Sequence, residues 1–194
     1  MANKPVEPSA ESKQTQAGHG DGVPLALARV QARGKRPLAV RSPSISGGIP
    51  ARHSEYAEGV SPEISWNSLT EAKSYALILE DTDAKSVRPF VHWVAWNIPG
   101  SVTTLPEGLQ ELPRLTEPEG ILQGKTSRGS VGYFGPRPPP GDPPHHYHFQ
   151  VFALDKPLDL PPGADRDQLL SAMQGHVLAK GELVGTYQQP APAK

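Results

Sequence analysis

Cysteine is absent from the 194 residues, which excludes disulfides, thiolate metal sites and a cysteine nucleophile. No apolar run approaches the ~20 residues that a membrane-spanning helix needs. No apolar stretch of signal-peptide length follows the opening Met-Ala-Asn-Lys-Pro, so the cytoplasm is the expected location. Neither sign of charge prevails: 19 Lys and Arg face 20 Asp and Glu, for a formal net charge of -1. That balance argues against nucleic acid and anionic membrane as partners. The chain also lacks a phosphate-binding P-loop, a dinucleotide-type glycine pattern, a Gly-X-Ser-X-Gly elbow and any internal repeat.

What the chain does have is 23 Pro and 19 Gly, a share that disfavours a helical bundle and favours short strands joined by turns. Residues 1–37 hold no Phe, Trp or Tyr and read as a disordered, solvated tail, with at most a weak helix within Pro24–Arg36. Residues 38–188 read as one domain, and 189–194 as a frayed end. Strands are expected at 38–40, 64–66, 73–80, 90–98, 145–154 and 184–188. Residues 101–144 read as a long irregular connection of the kind that carries function. One helix is expected: Asp165 and Gln168 have capping-box spacing, and Leu169, Leu170, Met173, Val177 and Leu178 recur at helical spacing. Strands with one helix and Pro-rich loops imply an antiparallel β-sandwich with a peripheral helix.

Chemistry concentrates in two places. Asp81 and Asp83 end the buried run Tyr75–Leu79, two residues apart, and in an extended chain they share a face. His92 lies in the aromatic strand, where strict alternation groups it with Val94 and Trp96. In the third strand alternation separates His145 and Tyr147 from His146 and His148. His146 and His148 have a legitimate metal-ligand spacing, but no third ligand is evident on their face. Ahead of this strand, Pro136–Pro144 is a rigid arm that cannot enter a sheet centre. It can line a pocket with carbonyls, while Gly135 offers an N–H.

Together, Ser61-Pro62 with Ser65-Trp66, Asp81-Thr82-Asp83-Ala84, His92-Trp93 with Asn97-Ile98-Pro99, Gly132–Pro136 with Pro143-Pro144-His145, and Gly175–Ala179 with Gly185-Thr186-Tyr187 resemble the phosphatidylethanolamine-binding protein family in its bacterial, Raf-kinase-inhibitor-like form. The resemblance runs from about Leu38 to Gln188. It implies a mainly β, Greek-key β-sandwich and a pocket for small anions and phosphorylated head groups, lined by Asp81, Asp83, His92, Gly135, His145 and Tyr147. Three positions depart from the family pattern: Thr82 and Lys85 stand where Pro is usual, and His146 where Arg is usual. Arg137 in the arm could restore positive charge.

The expected role is a non-catalytic binding and regulatory protein without cofactor or metal, taking an anionic or phosphorylated ligand and through it a protein partner such as a kinase. A zwitterionic head group would suit a site holding both carboxylates and imidazoles. The resemblance also implies a homodimer. Two alternatives stand beside this reading. One is a peptidase inhibitor acting through a surface loop such as 101–120. The other is a metal-dependent phosphoester hydrolase built on the two Asp and two His.

Overall fold

In the computed structural model, the described residues are 24–86 and 88–193; the part of the expected tail before Pro24 lies outside them. The chain forms two antiparallel sheets. A five-stranded sheet has the order β5-β3-β2-β6-β7, and a small sheet pairs β1 with β4. The strands are β1 Ile64–Ser65, β2 Ser74–Asp81, β3 Phe90–Pro99, β4 Thr104–Leu105, β5 Leu122–Gln123, β6 His145–Leu154 and β7 Val177–Tyr187. β2 lies at the centre and every one of its residues is buried, which is why its sequence is a continuous apolar run rather than an alternating one. Tyr75, Leu77 and Leu79 face a first core with Trp93, Tyr147 and Phe149. Ala76 and Ile78 face a second core with Trp96, Phe152, Leu169 and Met173. Each large side chain so buried contributes about 1.5–3 kcal/mol.

The expected β architecture is therefore present, with layers of unequal size. Four local expectations change. The expected strand at 38–40 is replaced by a single bridge between Arg41 and Ser65, while Leu38 and Val40 still enter the first core. The irregular connection contains the two short strands β4 and β5. The helix, α2 (Arg166–Met173), has the expected capping box between Asp165 and Gln168 but ends at Met173. Gly175 (φ 76°) takes the left-handed conformation that terminates helices, and Val177 and Leu178 begin β7, which is longer than expected.

The fourth change concerns residues 24–37, which do not behave as a tail. They carry a four-residue helix, α1 (Ala26–Arg29), and Ala26 and Val30 are fully buried in the second core. Beyond it, the N–H groups of Arg33, Gly34 and Leu38 donate to carbonyls of Val177, Leu178 and Lys180. This segment covers the outer edge of β7, which would otherwise offer unpaired backbone groups.

Candidate functional site

The site lies where β2 and β6 meet at one end of the sheet. Asp81, the last residue of β2, pairs in register with Tyr147 of β6. His145 Nδ1 donates to Asp81 Oδ2 at 2.8 Å. The other oxygen of Asp81 accepts the N–H groups of Asp83 (2.8 Å) and Ala84 (3.1 Å), an Asx turn that ends the strand and aims the carboxylate inward.

His92 reaches this site through an irregularity. Leu79 pairs with Trp93 but Glu80 pairs with Val91, so His92 is the extra residue of a β-bulge. The bulge breaks alternation: Val91 packs in the second core and Trp93 in the first. His92 therefore does not face Val94 and Trp96 as alternation predicts. It packs edge-on to Tyr147 at 5.2 Å and stacks on Phe134 at 5.6 Å. Bulges re-aim single side chains in this way, often next to functional sites. His92 Nδ1 is 2.7 Å from the Phe134 carbonyl, which fixes Nδ1 as a donor and turns Nε2 toward Asp81, 4.0 Å away.

These side chains edge a cavity of about 170 Å³. Its inner wall is Asp81, His92 and His145; its sides are Phe90, Phe134, Pro138 and Pro139; its rim carries Lys85, Arg128, Arg137 and Asp142. Asp142 holds Lys85 at 3.0 Å and lies 3.9 Å from His145 Nε2. Arg128 lies over the Phe134 ring at 5.1 Å.

Three of the six expected residues, Asp83, Gly135 and Tyr147, do not line the cavity. Asp83 sits beyond the end of β2, so the shared-face expectation fails. Its Oδ2 accepts both the backbone N–H and Nδ1 of exposed His146, at 2.7 and 2.8 Å. The Gly135 N–H is not free, because it donates to Glu55 Oε1 at 2.8 Å. The glycine is needed for close approach instead: a Cβ there would lie 2.4 Å from the His53 carbonyl oxygen. Gly135→Ala is expected to cost about 1–3 kcal/mol, read as a lower thermal midpoint; an unchanged midpoint would contradict this packing. Tyr147 stands behind the histidines, fully buried, and its hydroxyl has no hydrogen-bond partner among the described residues. Alternation correctly put His145 and Tyr147 on one face. Phe90, Phe134, Arg128 and Asp142 were not foreseen; the only sequence signal for Asp142 was its place three residues before His145. His148, on the outer face, pairs with Glu182 at 3.0 Å. Among the described residues no three metal-ligating side chains are placed to hold an ion.

The two inner imidazoles titrate in opposite directions. The hydrogen bond to Asp81 raises His145 above 6.5. Burial lowers His92 to about 4, against the pull of the Asp81 carboxylate. The site thus sets an imidazole held toward its protonated form beside one held toward its neutral form. The His145 contribution to stability is complete below the unfolded value of 6.5 and is lost as pH rises through its raised folded value. The His92 contribution is complete above 6.5 and is lost as pH falls toward about 4. Stability is therefore expected to fall on acidification between 6.5 and about 4, and His92→Gln should flatten that limb in denaturant titrations. An equally steep limb in the variant would contradict the assignment.

An antiparallel β fold with an Asp–His cavity at the end of its central strands defines the class of protein. Residues 41–188 match the family model described as phosphatidylethanolamine-binding protein, and the chain belongs to that family. It is 41% identical over 160 residues to a UPF0098 protein of Pyrococcus horikoshii, covering 80% of each chain. It is 45% identical over 144 residues to one from Methanothermobacter thermautotrophicus, covering 74% of this chain and 92% of the relative. Among solved structures, a phosphatidylethanolamine-binding protein homolog from Chlamydia trachomatis superposes with a TM-score of 0.70 at 36% identity, covering 79% of this chain and 98% of that one. YbcL of Escherichia coli, described as a member of the mammalian PEBP family, gives 0.72 at 27% identity, covering 79% and 99%. In the structure, no helix among the described residues is long and apolar enough to cross a membrane.

Proposed function

We propose that the chain is a non-catalytic binding protein whose cavity takes a phosphate-bearing or comparable anionic group. One observation carries the reading: of the four cationic groups at the cavity, His145 is matched by Asp81 and Lys85 by Asp142. Arg128 and Arg137 line the same cavity without an ion-pair partner among the described residues. An anion entering there meets the His145 Nε2–H and two unmatched guanidinium groups, and charge-assisted hydrogen bonds contribute about 1.5–3 kcal/mol each. The volume suits a phosphoryl group on a short stub. Asp142, the one rim carboxylate, is already engaged with Lys85, so the charge balance favours a phosphomonoester over the zwitterion that the sequence suggested. A phosphorylated protein segment is the natural bearer of such a group, which accords with a kinase-restraining role. The cysteine-free chain suits a reducing compartment, and we place this role in the cytoplasm.

Calorimetric titration with inorganic phosphate, phenyl phosphate and O-phosphorylethanolamine tests the reading. Saturable binding of all three, with the ethanolamine ester no tighter than phosphate, is the expected result. Tighter binding of the ethanolamine ester would favour a lipid head group, and no binding by any would overturn the anion reading.

A further inference from the structure

Glu80 is fully buried, carries a carboxylate and plays no part in the cavity. It follows the strand alternation to the face opposite Asp81. There its Oε2 accepts the Ala26 N–H at 2.8 Å and Gln150 Nε2 at 2.7 Å, and its Oε1 accepts Arg166 Nε. Gln150 Oε1 accepts the Leu27 N–H at 2.6 Å, and Lys180 Nζ donates to the Leu27 and Val30 carbonyls. Five polar side chains, Glu80, Gln150, Arg166, Gln174 and Lys180, thus bond the backbone of residues 24–30, a segment that precedes the stretch matched by the family model.

Arg166 continues the connection. Its guanidinium has three engagements: Glu80 through Nε, the Pro24 carbonyl through Nη2 at 2.8 Å, and Asp167 through Nη1 at 3.0 Å. The other oxygen of Asp167 accepts Arg88 Nη1 at 3.1 Å. Arg88 lies two residues before Phe90, whose ring lines the cavity, and in the connection that carries the lining residues Ala84 and Lys85. On the other route, Glu80 is the covalent neighbour of Asp81.

We propose that residues 24–30 are a strap that positions the cavity rim through Glu80, Arg166 and Arg88, so that strap docking and anion binding favour each other; this rests on the anion-binding reading of the cavity. The physical cause is the planar guanidinium fork of Arg166, whose donors have fixed relative directions. Withdrawing the Pro24 carbonyl and the Ala26 N–H frees one edge of the fork and one partner of Glu80. The fork then turns, and Asp167 and Arg88 turn with it.

The full-length chain tests this by phosphate titration followed through amide resonances. Ala26→Asp sets a carboxylate against Glu80 and lifts the strap. The expected result is about fivefold weaker phosphate binding, with shifts at the Ala84 and Phe90 amides. In an Arg88→Ala background the same strap substitution should have a smaller effect, because the route through Arg166, Asp167 and Arg88 is cut and only the route through Asp81 remains. Arg88 is 66% exposed, so its removal leaves the fold intact. Unchanged affinity and unchanged Ala84 and Phe90 amides in folded Ala26→Asp would overturn the proposal, as would a full effect persisting beside Arg88→Ala. Should Ala26→Asp fail to fold, reciprocity gives the same test on the wild type: saturating phosphate must slow hydrogen exchange at Ala26 and Leu27, and unchanged exchange there overturns the coupling. If the wild type binds no phosphate, the anion reading fails on its own, while the amide shifts on strap substitution still decide whether the strap sets the rim.

Discussion

His145→Ala is expected to weaken phosphate binding by about one to two orders of magnitude. The variant removes the cavity imidazole that Asp81 holds toward its protonated form and leaves Arg128 and Arg137 in place, so the loss reports the charge-assisted bond from Nε2. Asp81 keeps the N–H groups of Asp83 and Ala84, so its carboxylate remains oriented. His146→Ala is the matched control. His146 is exposed, lies on the opposite face and holds Asp83 rather than the cavity, and its loss should leave phosphate affinity unchanged. Equal losses in the two variants would mean that phosphate responds to general surface charge.

The largest expected effect on stability is that of Glu80→Ala. Arg166 is 6% exposed and loses its buried carboxylate in this variant. Gln150 and the Ala26 N–H lose their shared acceptor as well. Breaking a buried ion pair from one side costs about 3–5 kcal/mol because the remaining charge stays in a dry environment, which for a domain of this size lowers the thermal midpoint by roughly 10 °C. Glu80→Gln keeps an acceptor for the Ala26 N–H and should be milder. A midpoint within about 2 °C of wild type for Glu80→Ala would show that the pair is screened by water and that the strap contributes little.

How far the sequence revealed these features depended on whether they were local. The run Tyr75–Leu79 and the alternation from His145 to Val151 were legible because period and apolarity are properties of neighbouring residues. The capping box of α2 was legible for the same reason. The facing of His92 was not, because the bulge is set by how Glu80 pairs with Val91 across two strands. The fate of the Gly135 N–H depended on Glu55, 80 residues away. Residues 24–37 read as tail because they have no aromatic side chain and carry four positive charges, Arg29, Arg33, Lys35 and Arg36; the burial of 24–30 rests on Glu80, Gln150 and Arg166, which no local pattern connects to them. Helical spacing extends past α2 because Val177 and Leu178 keep the period, whereas Gly175, with φ of 76°, ends the helix.

The most direct test of the central claim, an anion site at Asp81, His92 and His145, is a phosphate titration of the full-length protein followed by histidine side-chain NMR. The predicted result is saturable movement of the His145 ring signals, a further rise in the His145 titration midpoint on saturation, and a His92 that stays neutral throughout. Saturable movement at His146, His148 or His176 with His145 unmoved would place any anion elsewhere and contradict the account.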